Sequence, residues 1–347
     1  MKQCIIILLF SSIAWSLCGQ DLHFSQYHSA PLHLNPAMTG VLYDGNVITL
    51  NYRSQWAPIL GGDAFKTIAG TFEKRINLSG VDYFGGGVSV WQDKAGALKQ
   101  NEAKIALSYG RIMAKKGKAY HYLLGGGQMG ATQQTLDVSD RRWLSQYDGN
   151  GGFDPSKRSE TIDFTQKTIL DASMGISVYG LYDNKNYYVI GGAVHHLNRG
   201  DISLTQYSTN PLQYMRYTAH FTGSFNIGNS QVRLVPSTLM MKQGPSFELT
   251  TGVAVKWVFD LVDYRSFQIG TWSRIVNKPE KGLMNDAYFA LVRIDWGKYG
   301  LGFSYDFNVS NLNVTNRRNN SIELALSYRF GSAAWNTSKM VTPRYFD

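Results

Sequence analysis

The sequence predicts an all-β protein, an antiparallel transmembrane β-barrel of fourteen strands, and three observations support that fold. Strand-like runs recur from Asn46 to Phe330, and several alternate apolar and polar side chains. Glycine is abundant at 35 residues, and aromatic residues reach 13% while charged residues are held to 17%. Beyond the N-terminal segment, no apolar run reaches the roughly 18 residues of a membrane helix. Because successive strand side chains point to opposite faces, one face can meet lipid while the other lines a polar lumen.

The N-terminal segment has the composition of an export signal. Lys2 precedes a short apolar core, which is typical of a secretory signal peptide. We predict that residues 1–19 are a secretory signal peptide, cleaved near residues 18–20, and that the exported barrel lies in the cell outer membrane. Both cysteines, Cys4 and Cys18, lie in this segment. Disulfide frameworks, cysteine zinc sites and cysteine nucleophiles are therefore excluded from the mature chain.

Residues 20–45, which precede the first predicted strand, form a segment of a different kind. The segment does not alternate, and it carries aromatic and apolar side chains that need burial. The pair Asn35-Pro36 disfavours helix and favours a turn. We predict an arm that lies inside or beneath the barrel. It can act as a plug or as a contact for a partner, and the need for burial favours the plug.

Fourteen strand-like runs lie between turn signals, and they define one barrel domain over residues 46–330 with a tail over residues 331–347. Their length suits tilted transmembrane strands of about 9–11 residues, and an even number is usual in single-chain bacterial barrels. The runs are Asn46–Trp56, Phe65–Ile76, Tyr83–Asp93, Ala103–Ala114, His121–Thr132, Thr168–Leu181, Asn186–Leu197, Tyr214–Gly228, Val232–Met241, Ser246–Phe259, Tyr264–Ile275, Asp286–Trp296, Tyr299–Val309 and Ser321–Phe330.

The connections between these runs are of two lengths. Residues 183–185, 228–230 and 296–298 form tight polar turns, whereas 132–167 and 198–213 are long. Short turns at one end and long loops at the other are expected of an outer-membrane barrel. Long loops are also where binding determinants tend to lie.

Histidines offer no metal site by their spacing. His195 and His196 adjoin on a predicted strand, so we expect them to point to opposite faces and not to share a metal. His23, His28 and His33 stand five residues apart, which matches no regular ligand face. We predict no metal ligands.

Three glycine-rich runs, at residues 85–87, 125–127 and 191–192, lack the spacing of phosphate-binding loops. They fall within predicted strands, where glycine permits sharp curvature or close packing of a plug. The chain also lacks the GxSxG elbow of serine hydrolases. We predict no cofactor and no catalytic residue.

The formal net charge of +9 does not indicate a nucleic-acid partner. The lysines and arginines are scattered, without a basic helix or a dense cluster. We interpret them as residues of solvated loops and strand ends.

Arg53 stands out as a charged residue near the end of the first predicted strand, beside Gln55 and Trp56. It can contact a ligand or partner, or it can point inward and pair with a carboxylate in the lumen. Its place on a strand favours the second interpretation, because an interior charge needs a partner.

Two groups of motifs, at opposite ends of the chain, resemble the PorP/SprF family. They occur in the order found in that family, so the resemblance covers nearly the full length after the signal. One departure is Arg317-Arg318-Asn319-Asn320, where members more often carry a glycine-containing turn. The motifs are Phe24-Ser25-Gln26-Tyr27, Leu34-Asn35-Pro36-Ala37 with Gly40, Tyr52-Arg53-Ser54-Gln55-Trp56, Tyr305-Asp306-Phe307-Asn308-Val309-Ser310-Asn311-Leu312 and Glu323–Phe330.

The resemblance implies an integral outer-membrane protein of the type IX secretion and gliding machinery of Bacteroidota. It implies a non-catalytic role in export or surface attachment of cargo, including adhesins with C-terminal sorting domains. The implied partners are outer-membrane lipid, secreted cargo and periplasmic components that anchor the machinery to peptidoglycan. The motif positions without an assigned role are Phe24, Ser25, Gln26, Tyr27, Asn35, Pro36, Gly40, Tyr52, Arg53, Trp56, Tyr305, Asp306 and Asn308.

Two alternatives remain open on the sequence. A passive porin or small-solute transporter needs an open, charged lumen. An outer-membrane lipase needs a Ser-His-Asn site on the outer wall, a geometry that a sequence does not reveal.

Overall fold

The computed structural model describes most of the chain after the predicted signal. The predicted signal peptide, most of the tail, Ser310 to Leu312 of one motif and Arg317 to Asn319 lie outside the described residues. The described residues are 21–41, 43, 45–78, 82–116, 119–137, 142–154, 156–157, 165–183, 186–203, 212–260, 265–278, 282–309 and 320–331.

The described strands form one closed antiparallel barrel, which confirms the predicted fold class and strand number. Each strand pairs with its neighbours in sequence, and β1 closes the barrel against β14 over ten residue pairs, from Asn46–Phe330 to Gln55–Ser321. Closure leaves no free sheet edge along this seam. The strands are β1 Asn46–Gln55, β2 Phe65–Asn77, β3 Tyr83–Ala95, β4 Leu98–Lys116, β5 Ala119–Leu136, β6 Gln166–Asp183, β7 Asn186–His195, β8 Arg216–Asn226, β9 Val232–Gln243, β10 Ser246–Asp260, β11 Arg265–Asn277, β12 Leu283–Trp296, β13 Tyr299–Asn308 and β14 Ser321–Phe330.

Strands β4, β5 and β6 are longer than the sequence pattern predicts. β4 begins at Leu98, five residues before the predicted start at Ala103, and pairs there with the end of β5 near Leu136. The added residues include Gln100 and Asn101, which are polar on both faces of the strand. Backbone pairing continues there although the apolar alternation has ended, so hydropathy marks the lipid-facing part of these strands rather than their full length.

Alternation along the strands places apolar side chains outside and polar ones inside. Leu50 of β1 and Leu326 of β14 are 51% and 50% exposed, whereas Thr49 and Ser327 beside them are 1% and 7% exposed. An apolar outer belt around a polar interior is the arrangement of outer-membrane barrels. Within the described part of the chain, no helix has the length and apolar character needed to cross a membrane.

The two ends of the barrel differ in the length of their connections. We call the end that carries the long connections the long-loop end and the opposite end the short-turn end. The predicted sorting by length holds in part. The longest connections all lie at one end, but that end also carries two tight turns, at 96–97 and 244–245, and the five-residue connection 278–282. The short-turn end carries 78–82, 117–118, 184–185, 227–231, 261–264 and 297–298, and the long-loop end also carries 56–64, 137–165, 196–215, 278–282 and 309–320.

Candidate functional site

The candidate site is the contact between the barrel wall and the N-terminal arm, residues 21–41. The arm starts at the long-loop end, where Asp21 contacts Arg216 and Gln243 at the ends of β8 and β9. It finishes at the short-turn end, where Val41 lies in a core cluster with Tyr83 and other tyrosines. The arm therefore runs through the lumen from one end to the other.

Three short helical turns shape the arm, at Tyr27–Ser29, Pro31–Leu34 and Pro36–Met38. Proline at the first position of the second and third turns suits a helix start, because that position has no partner for a backbone N–H. Short turns separated by non-helical residues leave several backbone groups free to bind the wall.

The motif Phe24-Ser25-Gln26-Tyr27 binds the wall through both backbone and side chains. The backbone N–H groups of Ser25 and Gln26 donate to the two carboxylate oxygens of Glu323 at 2.8 and 2.9 Å. Phe24 joins a buried cluster with Ala30 and Ala69, and Tyr27 joins another with Leu34 and Leu239. Glu323 is fully buried, so this carboxylate binds the arm out of contact with water.

Beside this contact, a buried charge cluster surrounds the hydroxyl of Ser25. That hydroxyl donates to Asp306 at 2.7 Å and accepts from Nη2 of Arg274 at 2.7 Å. Arg274 and Arg53 both face Asp306, with N–O distances of 3.1 and 3.4 Å, and Arg53 also donates to the carbonyl of His23. The interpretation of Arg53 as an inward arginine paired with a lumen carboxylate is confirmed.

Asn35 and Pro36 fix the middle of the arm against β6, β7 and β5. The amide of Asn35 donates to Oγ of Ser177 at 2.9 Å, and its side-chain oxygen accepts from the N–H of Ala37 at 2.9 Å. Pro36 lies against Gly126, where an added Cβ would stand 2.5 Å from the Pro36 carbonyl oxygen. The arm can approach the wall this closely because residue 126 has no side chain.

Gly40 ends the arm with a second carboxylate contact. Its φ of +71° favours glycine, and its N–H donates to Glu73 at 2.9 Å. Gly85 of the wall leaves room for the neighbouring Thr39, since an added Cβ would stand 2.1 Å from the Thr39 carbonyl oxygen. The prediction that the glycine-rich runs permit close packing of a plug is confirmed at Gly85 and Gly126.

Four of the predicted motif positions lie outside these arm contacts. Tyr52 points outward from β1, and Trp56, with a φ of +60°, packs its ring against Phe65 beyond the end of that strand. Tyr305 accepts from the Asn320 side chain at 2.6 Å, and Asn308 pairs with β12 at the end of β13. The motifs therefore divide into positions that hold the arm and positions at the outer face and rim.

The expectation for His195 and His196 was wrong. β7 ends at His195, and the φ of +58° at His196 turns the backbone, so both rings are buried instead of facing opposite sides. His196 lies between two carboxylates, with Nδ1 at 2.9 Å from Asp171 and Nε2 bonded to Asp21. A strand pattern does not foresee a turn at its last residue.

Neighbouring charges at the mouth of the barrel shift the pKa values of His196 and Asp21. Burial alone would lower the pKa of His196, but the carboxylates of Asp21 and Asp171 outweigh it and raise that pKa to about 9. Burial alone would raise the pKa of Asp21, but His196 and Arg216 hold it far below its usual range. Both groups are therefore charged at neutral pH.

Several arm-binding residues were given no role on the sequence, among them Glu73, Arg274 and Glu323, the last of which begins one of the recognised motifs. Each is a charged residue at an inward position of an alternating strand, and that signal could have found them. His196 and Gln243 carried no such signal. Among the residues that the structure describes, no three His, Cys, Asp or Glu side chains are grouped so as to hold a metal ion.

A comparison with protein families matches residues 17–328 to the family described as type IX secretion system membrane protein PorP/SprF. The match includes the arm and nearly all of the barrel. No curated protein matches the chain.

Solved structures of outer-membrane proteins match the chain at low identity. The toluene transporter TbuX of Ralstonia pickettii has a TM-score of 0.41 and 10% identity, with 87% of this chain and 94% of that chain covered. The outer-membrane protein Omp33 of Acinetobacter baumannii has a TM-score of 0.38 and 8% identity, with 84% and 100% covered. A bacterial polysaccharide outer-membrane secretin has a TM-score of 0.39 and 8% identity, with 83% and 99% covered. Similarity at this level carries no argument about function.

Proposed function

Because the chain belongs to the PorP/SprF family of type IX secretion system membrane proteins, we propose that it is a non-catalytic outer-membrane component of that machinery. In this proposal, residues 1–19 are removed on export, and the barrel supports the export or surface attachment of cargo proteins such as adhesins. The observation that carries the proposal is the arm, which runs through the lumen from Asp21 to Val41 and is bound to the wall along its length.

The arm favours a scaffold over a passive porin. A porin needs a water-filled lumen, whereas buried carboxylates of this wall bind the arm at Ser25, Gln26 and Gly40. Opening the lumen would exchange these hydrogen bonds of Glu323 and Glu73 for hydrogen bonds to water, at a net cost of about 1.5–3 kcal/mol for each bond to a charged group. Passive diffusion through such a lumen is therefore disfavoured.

The connection 137–165 at the long-loop end supports a contact with cargo. Leu144 is 83% exposed, and Tyr147 and Phe153 are exposed with their rings 5.6 Å apart. Arg142 lies over the Phe153 ring at 5.4 Å. These apolar groups lie beyond the strand ends, where lipid does not account for their exposure, and such groups mark interaction sites. We propose that this loop contacts the sorting domain of a cargo adhesin, while the short-turn end and the tail meet peptidoglycan-anchoring components.

The test compares cargo on the surface of cells that carry the wild-type gene, a deletion or a loop variant. Surface cargo is measured by antibody labelling of intact cells. We expect the deletion to abolish surface cargo, and the triple variant L144S/Y147S/F153S to reduce it severalfold at an unchanged amount of folded barrel. Surface cargo that stays unchanged in the deletion strain would rule out the proposed role.

A matched control for the loop variant is Ser156→Ala, on the same loop but outside the apolar group. It should leave surface cargo at the wild-type level. If the triple variant also leaves cargo unchanged while the deletion removes it, the role stands and the contact lies elsewhere.

A further inference from the structure

The barrel wall holds Asp21 in a site of its own at the long-loop end. The Asp21 carboxylate bonds Nε2 of His196 and lies 3.2 Å from Nη1 of Arg216. Its other oxygen accepts from Nε2 of Gln243 at 3.0 Å. Three wall residues from three different segments, at the ends of β7, β8 and β9, thus converge on one carboxylate.

Gln243 makes a second contact that a free anion could not provide. While its amide nitrogen donates to the Asp21 side chain, its amide oxygen accepts from the backbone N–H of Asp21 at 3.0 Å. Gln243 therefore forms hydrogen bonds with both the side-chain carboxylate and the backbone N–H of the same residue. The site therefore recognises an aspartate within a peptide, not negative charge alone.

A second layer of charged residues supports this site. Asp171 lies 2.9 Å from Nδ1 of His196, on the side of the ring away from Asp21, and Lys104 lies 2.6 Å from Asp171 and 2.9 Å from Glu102. Anions and cations thus alternate along the mouth of the barrel, in the order Glu102, Lys104, Asp171, His196, Asp21 and Arg216. Without Asp21, the cations His196 and Arg216 would each lose a carboxylate partner in a largely buried site, which is costly, although Arg216 would still donate to the His33 carbonyl of the arm.

The position of this site has a topological consequence. Asp21 lies at the long-loop end, whereas β14 ends with Phe330 at the short-turn end, so the two ends of the described chain lie at opposite ends of the barrel. Long loops of outer-membrane barrels face the outside of the cell, and short turns face the periplasm. A small recess, lined in part by Asp21, His196 and Arg216, lies beside the site.

We propose that His196, Arg216 and Gln243 form an aspartate-binding site for the chain's own Asp21, and that this site fixes the start of the mature chain at the cell-surface mouth of the barrel. The arm then crosses the membrane inside the lumen, from the surface to the periplasmic end. The inference rests on the outer-membrane location and signal removal of the proposed function, but not on a role with cargo.

An epitope inserted between Gln20 and Asp21 tests the topology. Antibody should label this epitope in intact cells, as it should label an epitope inserted at residue 150 of the long loop. An epitope at residues 117–118 of the short-turn end should be labelled after permeabilisation alone. An N-terminal epitope that behaves like the one at 117–118 would overturn the proposal. Because surface cargo is not measured, failure here is distinct from failure of the proposed role.

Charge removal at Asp21 tests the site itself. Asp21→Asn keeps the size of the side chain and loses its charge, whereas Asp154→Asn makes the same change on the exposed long loop. In purified protein in detergent, we expect protease to cleave the start of the arm about tenfold faster in D21N than in the wild type or in D154N. Heat-modifiable migration on gels confirms that each barrel is folded.

A second variant keeps the test decisive if D21N fails to fold. Gln243→Ala removes both amide bonds to Asp21 and leaves all charges in place, and it should also speed cleavage near Asp21. Equal cleavage of the start of the arm in Q243A and in the wild type would contradict the site.

Discussion

The two halves of the arm are held by different forces. From Asp21 to Gln26, the arm is bound by charged wall residues, with Glu323 and Asp306 as the main acceptors. From Pro36 to Val41, it fits mainly by shape, between wall glycines and a cluster of tyrosines, with one carboxylate contact from the Gly40 N–H to Glu73. Buried charge fixes the register of the first half, because Glu323 accepts from the N–H groups of Ser25 and Gln26 and Asp306 accepts from the Ser25 hydroxyl. Close packing supplies most of the apolar burial of the second half.

The largest expected effect comes from breaking the fit of the second half. Gly126→Ala would place a Cβ 2.5 Å from the Pro36 carbonyl oxygen and 2.8 Å from the Ala37 Cα, so backbone must move. We expect a loss of about 3 kcal/mol or more in the free energy of unfolding, measured by urea titration in lipid vesicles.

The control for this prediction is the neighbouring residue, Gly125→Ala. A Cβ at Gly125 meets nothing within 4 Å, because this position faces outward. It should be neutral or slightly stabilising. Equal effects of the two variants would show that the second half of the arm is not packed against β5.

A smaller effect is expected from weakening the charged half. Glu323→Gln keeps the shape but replaces one carboxylate oxygen by an NH₂ group, which would face a backbone N–H of Ser25 or Gln26. We expect a loss of about 2–3 kcal/mol, because hydrogen bonds to charged groups are the stronger ones. Hydrogen exchange should show faster exchange at the amides of residues 25 and 26.

The control for Glu323 is Ile322→Val, one residue away on the outer face, which should change the unfolding free energy by less than about 1.5 kcal/mol. If the amides of residues 25 and 26 are protected from hydrogen exchange as strongly in E323Q as in the wild type, the proposed contact with the Glu323 carboxylate is contradicted.

The smallest expected effect is a change with pH in how strongly the charged half of the arm is held. The folded pKa of His196 is about 9, above its ordinary value of 6.5, so its stabilising contribution is complete below pH 6.5 and is lost as pH rises through 9. Asp21, whose pKa is lowered, contributes above its ordinary pKa and loses this contribution only in acid. We expect the charged half to weaken by about 2 kcal/mol between pH 7 and 9.

Protease cleavage near Asp21 should accelerate over this pH range, while protection of the Pro36–Val41 half stays constant. His196→Gln should remove most of the acceleration. A cleavage rate near Asp21 that does not change with pH in the wild type would contradict the charged state assigned to this pair.

The strands could be predicted because, in every strand that crosses lipid, side chains that face the lipid are apolar and alternate with side chains that face the lumen. The closing strand Ser321–Phe330 matches its predicted bounds. The extensions of β4 to β6 could not be predicted, because above the lipid both faces are polar. The existence of the arm followed from the apolar content of residues 20–45.

The path of the arm and its partners did not follow from the sequence. Ser25 meets Glu323 and Asp306 across nearly the whole chain length, and no local pattern encodes such a pairing. Arg53 was foreseen as an inward charge because an isolated arginine on a membrane strand needs a partner. His196 was misjudged, because a positive φ after the last residue of a strand leaves no mark in hydropathy.

Conductance of the purified protein in planar lipid bilayers tests most directly whether the arm fills the lumen. The wild type should give no steady current, and a variant lacking residues 21–41 should give open-channel current across the same membranes. Steady current through the wild type, equal to that of the arm-deleted variant, would contradict the account.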